Sequence, residues 1–296
     1  MSAPTTSRTT YDPQPFDPAL VVVDLHTHST MSDGTMAPHD LVARAHAMGV
    51  QVLALTDHDE VSGLDDAAAS ARQLGVFFVP GVEISVTWAG HTLHIVGLQI
   101  DPSHAALRSG LAQVRSGRTA RAQAMADGLA AAGFSGAFDG AMRYVKNPDL
   151  VSRTHFARWL VEIGVAHDTR EVFGRFLTAG KPGYVAHAWA TLSEAVGWIR
   201  AAGGTAVLAH PGRYRLNATE QWALLSEFRE AGGEAIEVAT SNHTADQVRR
   251  FTGVAKQWGL EGSRGSDFHG PNESHAELGR GPHLPDALLP VWHRFR

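Results

Sequence analysis

Residues 21–60, VVVDLHTHSTMSDGTMAPHDLVARAHAMGVQVLALTDHDE, decide the fold of this chain, because they read as strand, loop, helix and strand. The β-branched residues 21–23 indicate a short buried strand. Apolar residues at helical spacing predict a helix over 38–48, which Gly49 closes, and a second apolar strand follows over 50–55. Such a unit is typical of α/β folds, which place their chemistry at the carboxyl ends of the strands.

Side chains of the metal-ligand type follow both predicted strands. His26 and His28 are separated by one residue, so an extended backbone directs both imidazoles to the same side. Asp33 follows on a turn, and His58 comes shortly after the second strand. A His-x-His pair alone is weakly specific, because most histidines beside a strand are ordinary packed side chains. Acidic residues and a third histidine at matching strand ends favour a metal site instead.

The composition limits the class of protein and the kind of metal site. The chain has 296 residues, 44% of them hydrophobic, which suits two domains or one large α/β barrel. It has no cysteine, so disulfides and thiolate ligands are excluded and a metal must be bound by nitrogen and oxygen. A net charge of −5 argues against non-specific nucleic-acid binding and against double-stranded DNA as a partner. The sequence shows neither a membrane span nor a signal peptide, which predicts a cytoplasmic protein.

The α/β pattern continues in two separate blocks of the chain. Further strands are predicted over residues 76–79, 93–98, 205–209 and 235–238. We therefore predict a discontinuous barrel built from residues 20–103 and 184–296. Residues 1–19 are rich in Thr, Ser and Pro and are expected to form a disordered leader.

More ligand-type residues accompany these strands. Glu83 lies near the carboxyl end of one predicted strand, and His94 lies at the start of the next. His210 directly follows a strand of the second block, and a loop after the last predicted helix holds Asp267 and His269. Together with the first four, these side chains supply nine nitrogen or oxygen ligands.

Residues 104–183 differ from the barrel blocks in pattern and in charge. Their apolar residues follow a helical period, which predicts a helical insertion. Residues 104–181 contain eleven Lys and Arg against six Asp and Glu, a net charge of +5, whereas the remainder of the chain carries −10. A basic block beside an acidic body indicates a lid that meets an anion.

The motifs DLHTHSTMSDGT, LTDHD, GVEIS, LHIVG, AHPGR and GSDFH resemble those of the PHP superfamily, named for its polymerase and histidinol phosphatase members. They occur in the family's order and cover about 200 residues in two blocks, 20–101 and 184–270. The resemblance implies a distorted (β/α)7 barrel with a trinuclear metal centre at the carboxyl ends of its strands. It assigns His26, His28, Glu83 and Asp267 to one metal, Asp33, His58 and His269 to a second, and Glu83, His94 and His210 to a third.

The insertion narrows the resemblance. Its segment RTHFAR, residues 153–158, and the segment KPGY, residues 181–184, resemble small-nucleotide phosphatases and RNA-trimming exonucleases of this superfamily. Arg153 and Arg213 are predicted phosphate clamps, since guanidinium groups bind phosphate in a bidentate manner. Lys181 is a candidate for a second phosphate and Tyr184 for a base or ribose.

His155 is predicted either to act as the general acid, together with Arg153 at the catalytic site, or to be a buried structural histidine. Asp57 is expected to orient a ligand imidazole rather than to bind metal.

These residues predict a metal-dependent phosphatase in which a metal-bound hydroxide attacks phosphorus. The preferred substrate is a nucleoside 3′,5′-bisphosphate that loses its 3′-phosphate, since a basic lid suits a second phosphate. The alternative is a 5′-to-3′ exoribonuclease on short RNA that uses the same site. Histidinol phosphate hydrolysis and a non-catalytic metal-binding regulatory module are lesser alternatives.

The predicted cofactors are two or three divalent ions per chain, with Mn²⁺ preferred and Zn²⁺, Fe²⁺ or Mg²⁺ as alternatives. No cysteine nucleophile, GxSxG elbow or Walker A loop supports a different mechanism.

Overall fold

The computed structural model describes residues 21–274 and 276–295, so the expected leader at residues 1–19 lies outside the described part. Seven strands form one sheet in the order of the sequence, and ten α-helices accompany them in this part of the chain. The strands are β1 (Val23–Asp24), β2 (Val52–Leu55), β3 (Phe77–Trp88), β4 (His91–Leu98), β5 (Thr205–Leu208), β6 (Ala235–Thr240) and β7 (Glu261–Gly265). This mixed α/β arrangement, a nearly closed seven-stranded barrel surrounded by helices, confirms the predicted fold class.

The ends of the sheet meet through backbone hydrogen bonds that follow β1 and β7. Leu25 N donates to Arg264 O at 3.0 Å, and Asp267 N donates to His26 O at 2.9 Å. His28 N then donates to the carbonyl of Phe268 at 2.9 Å. These bonds draw the His-x-His segment beside the loop that carries Asp267.

Strands β3 and β4 depart from a regular (β/α) repeat. The pairs β1–β2, β2–β3, β5–β6 and β6–β7 are parallel, but β3–β4 and β4–β5 are antiparallel. Strand β3 pairs with β2 only over residues 77–80 and continues against β4 to residue 88. The prediction that this strand ends at residue 79 is therefore wrong, and Glu83 lies in its middle. Glu83 still lies at the same end of the barrel as the other predicted ligands, because the parallel part of β3 ends close to it, at residue 80.

The helices flank the sheet and build the insertion. They are α1 (Pro38–Ala47), α2 (Leu64–Leu74), α3 (Ala105–Arg115), α4 (Arg118–Ala131), α5 (Ala137–Met142), α6 (Arg153–Glu162), α7 (Thr169–Val172), α8 (Leu192–Ala201), α9 (Ala218–Ala231) and α10 (Ala245–Trp258). A π-helical turn, Phe173–Leu177, follows α7. Among the described helices, none is both long and apolar enough to cross a membrane.

The insertion has a hydrophobic core of its own. Residues from α4, α5, α6 and the π-helical turn form this cluster, with Met125, Leu129, Phe156 and Leu177 among its buried members. The apolar face of α3 packs differently, since Leu107 and its neighbours join the core between the helices and the sheet. Helices α4 to α7 and the π-helical turn thus pack as a compact unit, while α3 packs against the helices and strands of the barrel.

Candidate metal centre

All nine predicted ligands converge at one end of the barrel, with Glu83 at the centre. Its Oε1 lies 2.9 Å from His94 Nδ1 and 3.0 Å from His210 Nε2. Its Oε2 lies 2.9 Å from His58 Nδ1. Glu83 is fully buried, so a single carboxylate is surrounded by imidazoles from three other segments of the chain.

The His-x-His pair meets the carboxylates on one side of this cluster. His28 Nε2 lies 3.3 Å from Asp267 Oδ1 and 3.4 Å from Glu83 Oε2. His26 Nε2 lies 3.6 Å from the same Asp267 oxygen and 3.3 Å from Glu83 Oε1. The structure thus brings together the four residues that the resemblance assigns to one metal.

Asp33 marks the other side of the cluster. Its Oδ1 lies 3.3 Å from His269 Nε2 and 3.8 Å from His58 Nε2. The insertion fixes this aspartate, because Thr154 Oγ1 donates to its Oδ2 at 2.8 Å and Arg158 donates to its backbone carbonyl at 2.5 Å. The amino-terminal part of α6 therefore helps to shape the cluster.

Four overlapping groups of these residues place their ligand atoms within 4.8 Å of one another. The groups are His28, Asp33, His58 and His269; His26, Glu83 and His210; His26, His28 and Asp267; and His58, Glu83 and His94. They overlap more than the division into three separate metals implies, since His28 and His58 each belong to two groups. Which ligand binds which metal stays a prediction.

The residues fit divalent cations. Several buried nitrogen and oxygen atoms that face the centre have no hydrogen-bond partner: His26 Nε2, His28 Nε2, Asp33 Oδ1, His58 Nδ1 and Glu83 Oε2. Buried polar atoms are ordinarily satisfied, so a group of orphaned atoms that face one another requires an explanation. Ligands about 2.0–2.2 Å from a shared metal lie only a little over 3 Å from each other, which matches these separations.

The cluster attracts positive charge. Burial alone would raise the pKa of Glu83, yet the surrounding imidazoles of His94, His58 and His26 hold that pKa well below its usual range. Burial alone would lower the pKa of His58, but Glu83 and Asp33 raise it to about 9. Burial lowers the pKa of His28 to about 3, with a further contribution from His269 and His58, so its ring is neutral at pH 7. A neutral imidazole is the form that binds metal.

Glu237 supports the cluster and was not assigned a role from the sequence. One of its oxygens lies 2.8 Å from His26 Nδ1, and the other accepts the backbone N–H of His210 at 2.6 Å. Because Nδ1 of His26 faces a carboxylate, its proton resides there and Nε2 offers its lone pair to the centre. The only signal in the sequence was an acidic residue within an apolar strand.

The expectation for Asp57 is wrong. Its carboxylate accepts hydrogen bonds from the backbone N–H of Ser29 at 2.7 Å and from the hydroxyl of Ser32 at 2.5 Å. Asp57 therefore fixes the loop after His28, and it contacts hydroxyl and amide groups rather than an imidazole. The reason is local: the loop after β1 turns back over β2 and presents its donors to this side chain.

Two of the ligand positions have unusual backbone conformations. His210 has φ 28° and Asp267 has φ 55°, which are rare values for residues other than glycine. Such conformations cost free energy and persist where the surroundings hold them. At both positions the chain turns sharply at the end of a strand, which aims the side chain at the cluster.

A cavity of about 1170 Å³ lies between the barrel and the insertion, beside the cluster. Arg153 and Arg213 both line it, as predicted for phosphate-binding groups. Arg213 donates to Asp267 Oδ2 at 2.9 Å, which ties it to the cluster. Arg153 stacks over Phe173 at 5.6 Å and forms no hydrogen bond or ion pair with any residue that the structure describes. An unpaired guanidinium in a cavity is available to an anion.

The other predicted substrate residues lie in different surroundings. Lys181 is exposed and does not line this cavity. Tyr184 is partly buried near Arg153. His155 is almost fully buried, its Nδ1 accepts the backbone N–H of Ser152 at 3.0 Å, and burial lowers its pKa to about 4. These contacts describe a cap of α6, the structural alternative for this histidine.

Comparisons with known proteins identify relatives that match nearly the whole chain. A 3′,5′-nucleoside bisphosphate phosphatase from Chromobacterium violaceum is 51% identical over 273 residues, which cover 92% of this chain and 96% of that protein. A 5′-3′ exoribonuclease from Haemophilus influenzae is 42% identical over 274 residues, or 92% of this chain and 98% of that protein.

The solved structure of an amidohydrolase from Chromobacterium violaceum with bound sulfate has a TM-score of 0.90 at 50% identity, covering 92% of this chain and 95% of that one. The family model described as the PHP domain matches residues 24–147, which contain six of the nine converging side chains. Since relatives of this similarity extend over nearly the whole chain, it belongs to the PHP domain family.

Proposed function

We propose that this chain is a metal-dependent phosphatase that removes the 3′-phosphate from nucleoside 3′,5′-bisphosphates. The observation that carries the proposal is the position of the nine-ligand cluster, which lies beside a cavity where Arg153 forms no ion pair with any residue that the structure describes. A site for cations next to an unpaired guanidinium suits a substrate that is itself a phosphate ester. The similarity to a 3′,5′-nucleoside bisphosphate phosphatase supports the choice of substrate.

The nine predicted ligands would hold the divalent ions, and Glu83 lies at the centre of this set, within 3.0 Å of three imidazoles. Bound there, divalent ions would supply Lewis-acid activation of water and of the phosphoryl group. Arg213, held by Asp267, and Arg153 would bind and orient the phosphoryl oxygens. Glu237 keeps a proton on His26 Nδ1, which leaves Nε2 free to act as a ligand.

The proposal also includes the identity of the metal ions, the division into domains and the location of the protein. A site of imidazoles and carboxylates without thiolates suits Mn²⁺, with Zn²⁺, Fe²⁺ and Mg²⁺ as alternatives, and it would hold two or three ions. We also propose that residues 104–183 form the substrate-binding insertion on a barrel made of residues 20–103 and 184–296. The proposed location is the cytoplasm, where nucleotide substrates occur.

Exonuclease activity on short RNA is the second candidate. The cavity of about 1170 Å³ exceeds the ~300–1,000 Å³ that small-ligand sites usually occupy. Its rim extends from Arg213 at the cluster to Arg143 and Lys146 on the insertion. Basic groups along this path would contact a short oligonucleotide, and the similarity to 5′-3′ exoribonucleases favours the same function.

A phosphate-release panel tests the proposal. Protein purified with Mn²⁺ is given adenosine 3′,5′-bisphosphate, histidinol phosphate and a 5′-phosphorylated RNA oligomer at equal concentrations. We expect kcat/KM for the bisphosphate to exceed that for histidinol phosphate by about a hundredfold or more, since the unpaired guanidinium of Arg153 favours a substrate with a second phosphate. Equal rates on these two would overturn the assignment, and faster digestion of RNA would favour the exonuclease. A Glu83→Gln preparation serves as the control for contaminating phosphatases.

A further inference from the structure

Arg158 on α6 joins two loops that carry predicted metal ligands. Its Nη2 donates to the backbone carbonyl of Asp33 at 2.5 Å, in the loop after β1. Its Nε and Nη2 also donate to the two carboxylate oxygens of Glu273 at 2.7 Å each, in the loop after β7 that carries His269. Only 8% of the surface of Arg158 is exposed. Because a bidentate carboxylate and a carbonyl hold this buried guanidinium in one position, it fixes both loops relative to the insertion.

The loop of Glu273 is tied to His269 by short hydrogen bonds. The hydroxyl of Ser274, the residue after Glu273, accepts the backbone N–H of His269 at 2.7 Å. The carbonyl of His269 in turn accepts the backbone N–H of Thr35, two residues after Asp33, at 2.7 Å. We therefore expect the two loops to move together when the contact with Arg158 is lost.

Thr154, one helical turn before Arg158, orients the carboxylate of Asp33. Residues four apart lie on the same face of a helix, so both side chains contact the same aspartate. The hydroxyl of Thr154 donates to Oδ2 of Asp33 at 2.8 Å, while Oδ1 lies 3.3 Å from His269 Nε2. Oδ1 is buried and has no hydrogen-bond partner among the described residues. The insertion thus engages one oxygen of Asp33, and the other is available to a cation.

The other side of the cluster is supported by the barrel. Glu237 on β6 contacts His26 Nδ1 at 2.8 Å. Arg213 and Asn242 donate to Oδ2 of Asp267 at 2.9 Å each. These supporting residues all belong to the barrel segments. The ligand set that contacts the insertion instead is called the Asp33 group, and it consists of His28, Asp33, His58 and His269.

We propose that Arg158 is a positioning residue for the cation of the Asp33 group, so that this ion binds tightly only while α6 contacts both loops. The inference rests on the metal binding within the proposed function and goes beyond it, because it makes the insertion a structural part of one ion site. Residues that orient a ligand without touching the ion contribute about ten- to a hundredfold in metal affinity. Binding of the ion and docking of α6 are then linked, and each stabilises the other.

Metal titration of Arg158→Gln tests the proposal. Competition for Mn²⁺ with a chelator measures the Kd of each bound ion, and elemental analysis counts the ions retained after gel filtration. We expect one ion to bind about ten- to a hundredfold more weakly than in the wild type, and every other ion to keep its Kd. Wild-type Kd values for all ions in the variant would overturn the proposal, and so would an equal weakening of all of them.

Asp33→Asn identifies the ion concerned. It changes a ligand of the Asp33 group directly, so it should weaken the same ion. The double variant Arg158→Gln/Asp33→Asn should bind that ion no more weakly than Asp33→Asn alone, because both changes act through one carboxylate. Additive losses would show that Arg158 acts elsewhere and would contradict the proposal.

Arg175→Gln is the matched control within the insertion. Arg175 likewise pairs with a carboxylate, that of Glu171 at 2.7 Å, and donates to a backbone carbonyl, that of Val165 at 2.7 Å. Both partners lie in the insertion and outside the cluster. We expect this variant to keep the wild-type Kd for every ion. A loss equal to that in Arg158→Gln would show that any loosening of the insertion weakens the site and that Arg158 has no specific role.

Thr154→Val provides a second variant in case the loss of a buried arginine prevents folding. Valine keeps the shape of threonine and removes the hydroxyl that donates to Asp33. We expect the same ion to bind about tenfold more weakly, the rise in Tm on adding Mn²⁺ to be smaller, and Thr154→Ser to restore most of the affinity. A purely structural role predicts instead a lower Tm of the metal-free protein, with an unchanged rise on adding Mn²⁺. That outcome would overturn the proposal.

Hydrogen exchange measures the coupling in the reverse direction. Removing the ions with a chelator should accelerate amide exchange in α6 but not in α2, none of whose residues belongs to the cluster. Unchanged exchange in α6 after the ions are lost would contradict the link between the ion and the helix.

The outcomes separate this inference from the proposed function. If the wild type binds its ions but releases no phosphate from adenosine 3′,5′-bisphosphate, the proposed function fails, while the Kd values still decide the role of Arg158. If the wild type releases phosphate and Arg158→Gln binds every ion as tightly, the inference fails and the phosphatase remains. A wild type that binds no divalent ion would overturn both.

Discussion

The metal-ligand cluster and the arginines of the insertion differ in how their charged side chains are paired. In the cluster each carboxylate is surrounded by imidazoles, and Glu83 alone lies within 3.0 Å of three of them. In the insertion, neither Arg121 nor Arg153 forms a hydrogen bond or ion pair with a carboxylate of the described residues. The barrel therefore gathers acceptors that suit cations, whereas the insertion presents donors that suit an anion.

The two regions also differ in the structural elements that hold their side chains in place. The cluster residues lie on strands or in the loops that follow them, and backbone hydrogen bonds such as Asp267 N to His26 O at 2.9 Å fix their segments. The arginines extend from helices that pack against a separate core. We therefore expect changes at the metal ligands to abolish metal binding and activity together, and changes at the unpaired arginines of the insertion to act on substrate affinity.

Replacing Glu83 should have the largest effect on metal binding and activity. Glu83→Gln keeps the shape of the side chain but removes the charge that the imidazoles surround. We expect the variant to lose at least one bound metal ion and to release phosphate roughly a thousandfold more slowly or worse, since several kcal/mol of charge stabilisation disappear. Elemental analysis and the phosphate-release assay measure the two effects.

Glu227→Gln is the control for this change. Glu227 accepts a hydrogen bond from the indole N–H of Trp88 at 2.7 Å and lies outside the cluster. It should retain metal and activity. A fully metallated and active Glu83→Gln enzyme would show that the cluster does not work as one site.

Replacing Glu237 should produce a smaller loss. Glu237→Gln can still touch His26, but it no longer holds the proton on Nδ1 by charge. Changes of this kind cost about ten- to a hundredfold in metal affinity or activity. A metal titration by competition with a chelator measures the loss of affinity.

Glu261→Gln provides the comparison for Glu237. Glu261 lies at the start of β7 and pairs with Arg294 in the C-terminal segment, away from the cluster. We expect it to lower the free energy of unfolding and to leave the metal affinity unchanged. If both variants lost affinity alike, the effect would belong to general stability rather than to ligand orientation.

The sequence predicts the metal ligands better than the residues that hold them in place, for a physical reason. Polar ligands at the ends of apolar strands are conspicuous, so residues such as His26 and His210 stand out. Glu237 and Asp57 are equally buried, but they resemble any other acidic residue, and their partners come from segments distant in the chain. Only the folded chain reveals which donors they meet.

The bounds of the helices and strands show the same contrast between what the sequence predicts and what it does not. Helix α1, Pro38–Ala47, ends within one residue of the helix predicted over 38–48, because its apolar residues recur at helical spacing. Strand β7, with the letters EGSRG, has no apolar residue and was not predicted, yet four of its five residues are buried. Pairing with β6 and the contact with the chain after β1 create this strand, and neither leaves a local signal.

His155 gives the smallest expected effect. In the folded chain its Nδ1 accepts the N–H of Ser152 as the reciprocal bond of a capping box. Glutamine is a usual residue at that position, so we expect His155→Gln to keep kcat/KM within about fivefold of the wild type. A general acid would instead cost about 10²–10⁴-fold.

The pH dependence of stability supplies an independent check on His155. Burial lowers the pKa of this histidine from 6.5 to about 4 in the folded chain, so the unfolded chain binds its proton first as the pH falls. The stability contributed by the neutral ring is complete above about pH 6.5 and is lost progressively toward pH 4. His155→Gln removes this loss, so its Tm should fall less than that of the wild type between pH 7 and pH 5. An identical fall in both proteins would show that the ring is not buried as a neutral cap, and would return His155 to the candidates for proton transfer.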